Sequence, residues 1–181
     1  MAVAIPVQEL KLDSIVNMKM VARRRLVELM VNAGKAQNRN QVTIREGFGN
    51  ADFGLANGTD NEEFVPAATT ANTDLTYINT ALGNNKYVAI YSFSIVTATV
   101  RPPIIGIQFK VGTGGANTLA DVEIQRGYAY DYKVWYLDDP IIYQPTDTMF
   151  IVLRNAVTQA VGSVMVALGA FLAEPAGQTT L

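Results

Sequence analysis

The sequence predicts a mainly β protein, a sandwich or barrel fronted by an N-terminal arm and an amphipathic helix. Residues 86–175 break into about seven β-branched and aromatic segments, separated by turn residues at near-regular intervals. Residues 13–34 instead place apolar side chains three and four apart, the period of a helix. With 181 residues, 49% of them hydrophobic, the chain can bury a sizeable core in one domain and still extend an arm.

AIPVQELKL reads as extended, because Pro6 disfavours helix at the residue before it. In DSIVNMKMVARRRLVELMVNAG, Asp13 or Ser14 can cap a helix start, and Gly34 suits the position just past its end. Ile15, Met18, Ala22, Leu26, Leu29 and Met30 share one face, with Lys19, Arg23 and Arg24 partly off it. The valines within 27–31 also permit a strand. Residues 40–86 are rich in Asn, Gly, Thr and Asp, the composition of turns and long loops. Phe48, Phe53, Leu55, Phe64 and Val65 are spread singly through them and read as anchors that pin loops to a neighbouring surface. TDLTYINTALG reads as a short helix ending at Gly83.

KYVAIYSFSIVTATV opens the β block and stops at Arg101-Pro102-Pro103. Strict alternation puts Tyr87, Tyr91 and Phe93 on one side of it and Val88, Ile90 and Val96 on the other. A strand apolar on both sides is covered twice, here by its own core and by either the N-terminal helix or a second subunit. In IQFKV, Ile107, Phe109 and Val111 face one way while Gln108 and Lys110 face the other. ADVEIQRGYAY, YKVWYL, PIIYQP, DTMFIVLRNA and SVMVALGAFL complete the block. The expected organisation is an arm and helix over 1–40, a loop-rich segment over 41–86 and a β-sandwich domain over 87–181. No internal repeat and no Pro/Ser linker divides it further.

Composition narrows the chemistry. Without cysteine there are no disulfides, no thiol catalysis and no thiolate metal site. Without histidine, the Ser-His and Cys-His nucleophile pairs and histidine-ligated metals are gone as well. The net charge of −2 argues against a surface built throughout for nucleic acid. The first residues have no basic stretch before an apolar run, so no signal peptide is expected. VMVALGAFLA is about half of what a helical membrane span needs.

Five groups are candidate sites. Asp138, Asp139 and Asp147 could hold calcium, or sit across a cleft as glycosidase carboxylates, but Pro140 and Pro145 beside them favour turns. Gly112-Thr113-Gly114-Gly115 lacks the lysine of a phosphate loop and is followed by NTLADVEIQ, another strand, so a hairpin loop is expected. Lys19, Arg23, Arg24 and Arg25 suit either a solvated helix face or contact with an acidic partner. Trp135 with Tyr128, Tyr130, Tyr132, Tyr136 and Tyr143 suits core, subunit interface or a sugar-stacking platform. Asn57-Gly58-Thr59 fits the glycosylation pattern and reads as a turn.

Three pieces carry a family resemblance: RPPIIGIQFKV over 101–111, the DDPIIYQPTDT turn pair, and the closing LGAFLAEP over 168–175. Together they resemble the β-sandwich of the capsid cement (decoration) proteins of tailed bacteriophages, over about half the chain. The resemblance implies a jelly-roll-like antiparallel β-sandwich, commonly a homotrimer. Such a protein sits on the virion surface after synthesis in the host cytoplasm and clips neighbouring major capsid subunits. It implies no catalysis, and with the composition above the expectation is no enzyme activity, no cofactor, no metal, no direct nucleic-acid binding and no membrane. On that reading Ile5, Val7, Leu10, Leu12, Met18, Lys19, Arg23, Arg24 and Arg25 are the expected capsid contacts. Tyr87, Tyr91, Phe93, Tyr128, Tyr130 and Trp135 are the expected oligomer interface. A carbohydrate-binding or receptor-binding sandwich is the alternative, and it requires Trp135 and nearby tyrosines exposed on one face.

Overall fold

The computed structural model describes residues 3–49, 52, 62–64, 70–97, 104–124, 133–158, 160 and 164–177. Among them the elements run β1 (Ala4–Pro6), α1 (Leu12–Asn32), β2 (Val42–Glu46), β3 (Glu62–Phe64), β4 (Asp74–Ala81), β5 (Tyr87–Thr97), β6 (Ile104–Val111), β7 (Asn117–Glu123), β8 (Val134–Tyr143), β9 (Thr148–Asn155) and β10 (Val164–Pro175). One antiparallel sheet has the order β1-β8-β5-β10-β2, with β3 also paired to β10; the other has the order β4-β9-β6-β7. The eight strands β2-β10-β5-β8 and β4-β9-β6-β7 are two interleaved Greek keys, the jelly-roll arrangement. β1 is an extra edge strand on β8. β2 and β3 share the other edge, each paired to a different stretch of β10.

The inner faces of the two sheets enclose the main core, which includes Val88, Ile90, Phe93, Ile95, Ile107, Phe109, Trp135, Leu137 and Tyr143. A second core lies on the outer face of the β5-containing sheet. There Ala22, Leu26 and Met30 of α1, each fully buried, pack on Tyr87, Ala89, Tyr91, Phe171 and Ala173. The helix is therefore the second cover that β5 requires. The valines near its end stay helical, and it closes in a Schellman pattern. The Lys35 N–H donates to the Met30 carbonyl and the Gly34 N–H to the Val31 carbonyl, with Gly34 at a φ of +68°. Its start differs from expectation. Lys11 is the capping residue and gives no side-chain bond, so Asp13 and Ser14 lie inside the first turn, where Asp13 meets the positive end of the helix dipole.

The sandwich does not begin at residue 87. The segment 41–86 supplies β2, β3 and β4, and TDLTYINTALG is a strand, not a helix. Its Thr-Tyr-Ile-Asn-Thr run suits a pleated surface, with Leu75, Tyr77 and Ile78 buried. Phe48 does anchor its loop in the main core. The faces of β5 also differ from simple alternation. Pairing with β8 and with β10 slips at Tyr91, a bulge that advances the strand by one residue. Tyr87 and Tyr91 stay under the helix, while Phe93 and Ile95 switch to the inner core and Val96 turns outward. YKVWYL and PIIYQP are one strand, β8, whose 137–140 stretch bulges past β5. The residues Asp138, Asp139 and Pro140 thus belong to an irregular edge and not to a turn. Gly112–Gly115 joins β6 to β7 as a hairpin loop.

Candidate functional site

The most polar contacts on the helix-covered face centre on the Tyr91 bulge. The Tyr91 hydroxyl donates to Glu46 Oε1 at 2.5 Å, and Lys19 Nζ donates to the same oxygen at 2.8 Å. Lys19 Nζ also stands 5.0 Å from the Tyr91 ring centroid. Bonds from Lys19 and Tyr91 hold the Glu46 carboxyl below its usual range, and the bond to Glu46 raises the Lys19 ammonium. Burial, then the bond to Glu46, pushes the Tyr91 hydroxyl up to about 12. Each shift deepens the charge state the group already has at neutral pH, so none is poised to exchange protons there. A groove of about 410 Å³ runs beside this trio, floored by Ser92, Ser94 and the 167–170 stretch of β10. Gly169 leaves room in that floor: a Cβ there would stand 2.0 Å from Ser92 Oγ and 2.8 Å from Tyr91 Cε2, so both side chains would have to shift.

The two acids of the β8 bulge tie down the N-terminal elements. Asp138 Oδ1 accepts from the Val3 N–H at 2.7 Å, and the Val3 carbonyl accepts from the Asp138 N–H at 3.1 Å. Asp139 pairs with Arg25 of α1. Asp147 instead accepts from the Gln144 N–H at 2.8 Å in the β8–β9 turn, where Thr146 takes a φ of +70°. So one of the three aspartates is turn chemistry and two are fasteners.

The exposed side of α1 is unusually apolar. Leu12 is 74% exposed and Met20 56%, with Val16 and Val21 also exposed. Leu12, Val16 and Met20 recur every four residues and form a ridge. Where the ridge meets β2 there is a second groove, of about 330 Å³. Its walls are Met20, Arg23, Arg24 and Val27 of α1, together with Arg39 and Ile44. Arg23 stacks over the Phe171 ring at 5.3 Å. Among the described residues no carboxylate pairs with Arg24 or Arg39.

A third polar cluster closes one end of the sandwich. Asp52 and Glu174 are 3% and 2% exposed, and Lys86 Nζ lies 2.9 Å from Asp52 Oδ1 and 4.0 Å from Glu174 Oε2. Asp52 also accepts from the Gly49 N–H at 2.8 Å and pairs with Arg45. Burial alone would raise the Asp52 carboxyl, but the bonds from Lys86, Gly49 and Arg45 outweigh it and hold it low. Two carboxylates, the Lys86 ammonium and the Arg45 guanidinium balance their charges here. Among the described residues no group of three or more acidic side chains is placed to hold a metal ion.

The expected contact residues divide by burial. Ile5 lies in β1 on the β8 edge, and Ile5, Val7, Leu10, Met18 and Lys19 are all half-buried. Leu12, Arg23, Arg24 and Arg25 are exposed. Tyr87, Tyr91, Phe93 and Trp135 are 1–3% exposed within the single chain. The helix covers the first two and the opposite sheet covers the others, so in this arrangement they have no surface left to offer another copy. Tyr128, Tyr130, Tyr132 and Asn57-Gly58-Thr59 lie outside the described residues. Trp135 stacks on Phe93 at 5.4 Å in the core and is no exposed sugar platform. Sequence reasoning missed Glu46, Asp52, Lys86, Arg39 and Glu174. Only Glu174 carried a signal, as a lone acid inside the apolar run LGAFLAEP.

No protein-family model matches this chain, and no curated protein matches it in sequence. Among the described residues no helix is long and apolar enough to cross a membrane.

Proposed function

We propose that this chain is a virion structural protein. In this reading it binds the outside of a viral capsid, as a homotrimer, and stabilises the shell by clamping neighbouring major capsid subunits. The observation that carries the reading is the exposed ridge of Leu12, Val16 and Met20 on a helix that is seated on the jelly roll by its buried Ala22, Leu26 and Met30. An apolar ridge presented on a folded domain fits a surface that a partner covers. Jelly rolls recur in capsid and lectin domains, which supports the reading by analogy of fold. The lectin branch loses its expected platform through the burial of Trp135. The mechanism is linkage. A protein that binds the assembled shell and not its dissociated subunits stabilises the shell by its binding free energy, multiplied over many sites.

The test is the native mass by light scattering behind a sizing column, followed by co-sedimentation with capsids of the source virus. The expected result is a particle of three chains of 19.6 kDa each that pellets with shells and raises their melting temperature. A monomer that leaves the shells unbound would overturn the reading. Large closed particles formed by the protein alone would replace it with a coat-protein role.

A further inference from the structure

The open edge of β2 and the arginine groove beside it lie on the same side of the molecule. β2 pairs only with β10 among the described residues, so its other edge ends the sheet. The Gly47 N–H donates to the Ala170 carbonyl and the Ala176 N–H to the Gln41 carbonyl. Hydrogen-bonded pairs alternate along an antiparallel ladder, so Thr43 and Arg45 also turn their backbone groups toward β10. Ile44 and Glu46 therefore turn their N–H and C=O groups outward, along the open edge. The Ile44 side chain is at the same time a wall of the groove.

We infer that this edge and groove form a docking site for an extended, acidic segment of a partner protein, which adds as a strand to β2 and places its carboxylates on Arg24 and Arg39. Two features select that occupant. An added strand satisfies the outward backbone groups of Ile44 and Glu46, as in other cases of recognition by strand addition. Alternate side chains of that strand would point to the helix side. There the floor of Met20, Val27 and Ile44 takes an apolar group, and the rim of Arg23, Arg24 and Arg39 takes a carboxylate. The chain carries a net charge of −2, so this cationic rim is a local feature and not a reflection of general basicity. A folded acidic surface without a free strand edge could meet the arginines but could not pair with β2. The inference rests on the proposed function, because it names the surface and the chemistry by which a capsid subunit would be held.

The test begins with a display library of random twelve-residue peptides, panned at low salt on the immobilised full chain. The expected pool has Asp or Glu alternating with Val, Ile or Tyr. The best member, labelled, should bind the wild type by fluorescence anisotropy. Binding should weaken at least tenfold in Arg24→Glu/Arg39→Glu and should return to that variant when the peptide's acids become lysines. N-methylating alternate peptide amides should abolish it. Both arginines are exposed, and circular dichroism checks that the variant stays folded. A pool without acidic enrichment, or binding indifferent to the charge reversal or to N-methylation, would overturn the inference. So would charge-dependent binding of phosphatidylserine vesicles with no peptide selected. If capsids pellet with the double variant as well as with wild type, this inference fails and the capsid reading stands. If the peptide result holds and capsids never bind, the capsid reading fails alone.

Discussion

Lys86 Nζ lies 2.9 Å from the Asp52 carboxylate, with both side chains nearly closed off from water. The same ammonium is the nearest cation to Glu174, whose two oxygens accept no hydrogen bond among the described residues. Removing one partner of a buried ion pair leaves the other charged and unsolvated, at a cost of about 3–5 kcal/mol. Arg45 and the Gly49 N–H still hold Asp52 when Lys86 is lost, and Glu174 is the acid left without a cation, so Lys86→Met is expected at or below the lower end of that range, read as a lower urea midpoint at unchanged slope. Neutralising both acids in the same chain, with Asp52→Asn and Glu174→Gln, should recover much of the loss. A single Lys86→Met variant as stable as wild type would show that the cluster is solvated in the folded protein.

The same cluster contributes to the acid sensitivity of the fold, alongside Glu46. The Asp52 carboxyl titrates lower in the folded chain than in the unfolded one, because the bonds from Lys86, Gly49 and Arg45 outweigh its burial. A depressed carboxyl contributes stability that is fully present above the unfolded value, about 4. That contribution is lost as pH falls through the folded value. Stability should therefore decline from about pH 4 downward, and Asp52→Asn should flatten that decline while lowering stability at pH 7. Urea melts of the two proteins at a series of acid pH values measure the difference in slope.

Gly169 is the one glycine whose missing side chain the Tyr91 bulge depends on. Its Cβ position is 2.0 Å from Ser92 Oγ and 2.8 Å from the Tyr91 ring. Overpacking of this kind costs roughly 1–3 kcal/mol when neighbours can shift. Gly169→Ala is expected at or above the top of that range, because Tyr91 is wedged against Phe171 at 4.9 Å and against Tyr136 at 6.2 Å. Adding Ser92→Ala removes the nearer contact and should return part of the stability in a double-mutant cycle. Strict additivity of the two changes would separate the residues energetically.

Periodicity in the sequence carried the helix, its buried face and most strands of the sandwich. Ala22, Leu26 and Met30 were placed correctly because a 3.6-residue period is a local signal. The Tyr91 bulge was invisible. One extra residue in a ladder depends on what β8 and β10 present opposite it, and that is a long-range fact. The same holds for TDLTYINTALG, read as a short helix ending at Gly83, whose strand form depends on pairing with β9. Asp52 looks like any acid of a polar loop, and Arg39 like any turn cation. Only folding brings the first against Lys86 and the second against α1. The aromatic residues were recognised as important, but the sequence does not say whether the chain's own helix or another copy covers them.

Leu26 tests that cover. It is fully buried between α1 and the ring cluster of Tyr87, Tyr91 and Phe171. Leu26→Ala removes the central contact and opens a cavity, a change that costs about 2–5 kcal/mol in well-packed cores. Thermal unfolding should shift downward accordingly, and exposed apolar surface should increase dye binding before the main transition if the helix detaches first. Leu12→Ser, on the exposed ridge, should leave stability within about 0.5 kcal/mol of wild type. A large stability loss from Leu12→Ser would place that residue in the core of the folded protein and remove it from the ridge.

Tyr143 points the other way, toward a gain. Its side chain is fully buried in the main core, and its hydroxyl finds no hydrogen-bond partner among the described residues. Burial, with the negative charge of Asp147 nearby, pushes its ionisation far above the usual range, so it remains a neutral phenol wherever the fold survives. A buried hydroxyl without a partner costs about 1–3 kcal/mol of desolvation that its removal gives back, less any relaxation around it. Tyr143→Phe keeps the ring and deletes only that oxygen. It is expected to be neutral or to raise stability by up to about 1 kcal/mol, measured as the shift in urea midpoint. Destabilisation by more than about 1 kcal/mol would mean that the hydroxyl is bonded in the folded chain, and would reassign Tyr143 from an orphan to a structural donor.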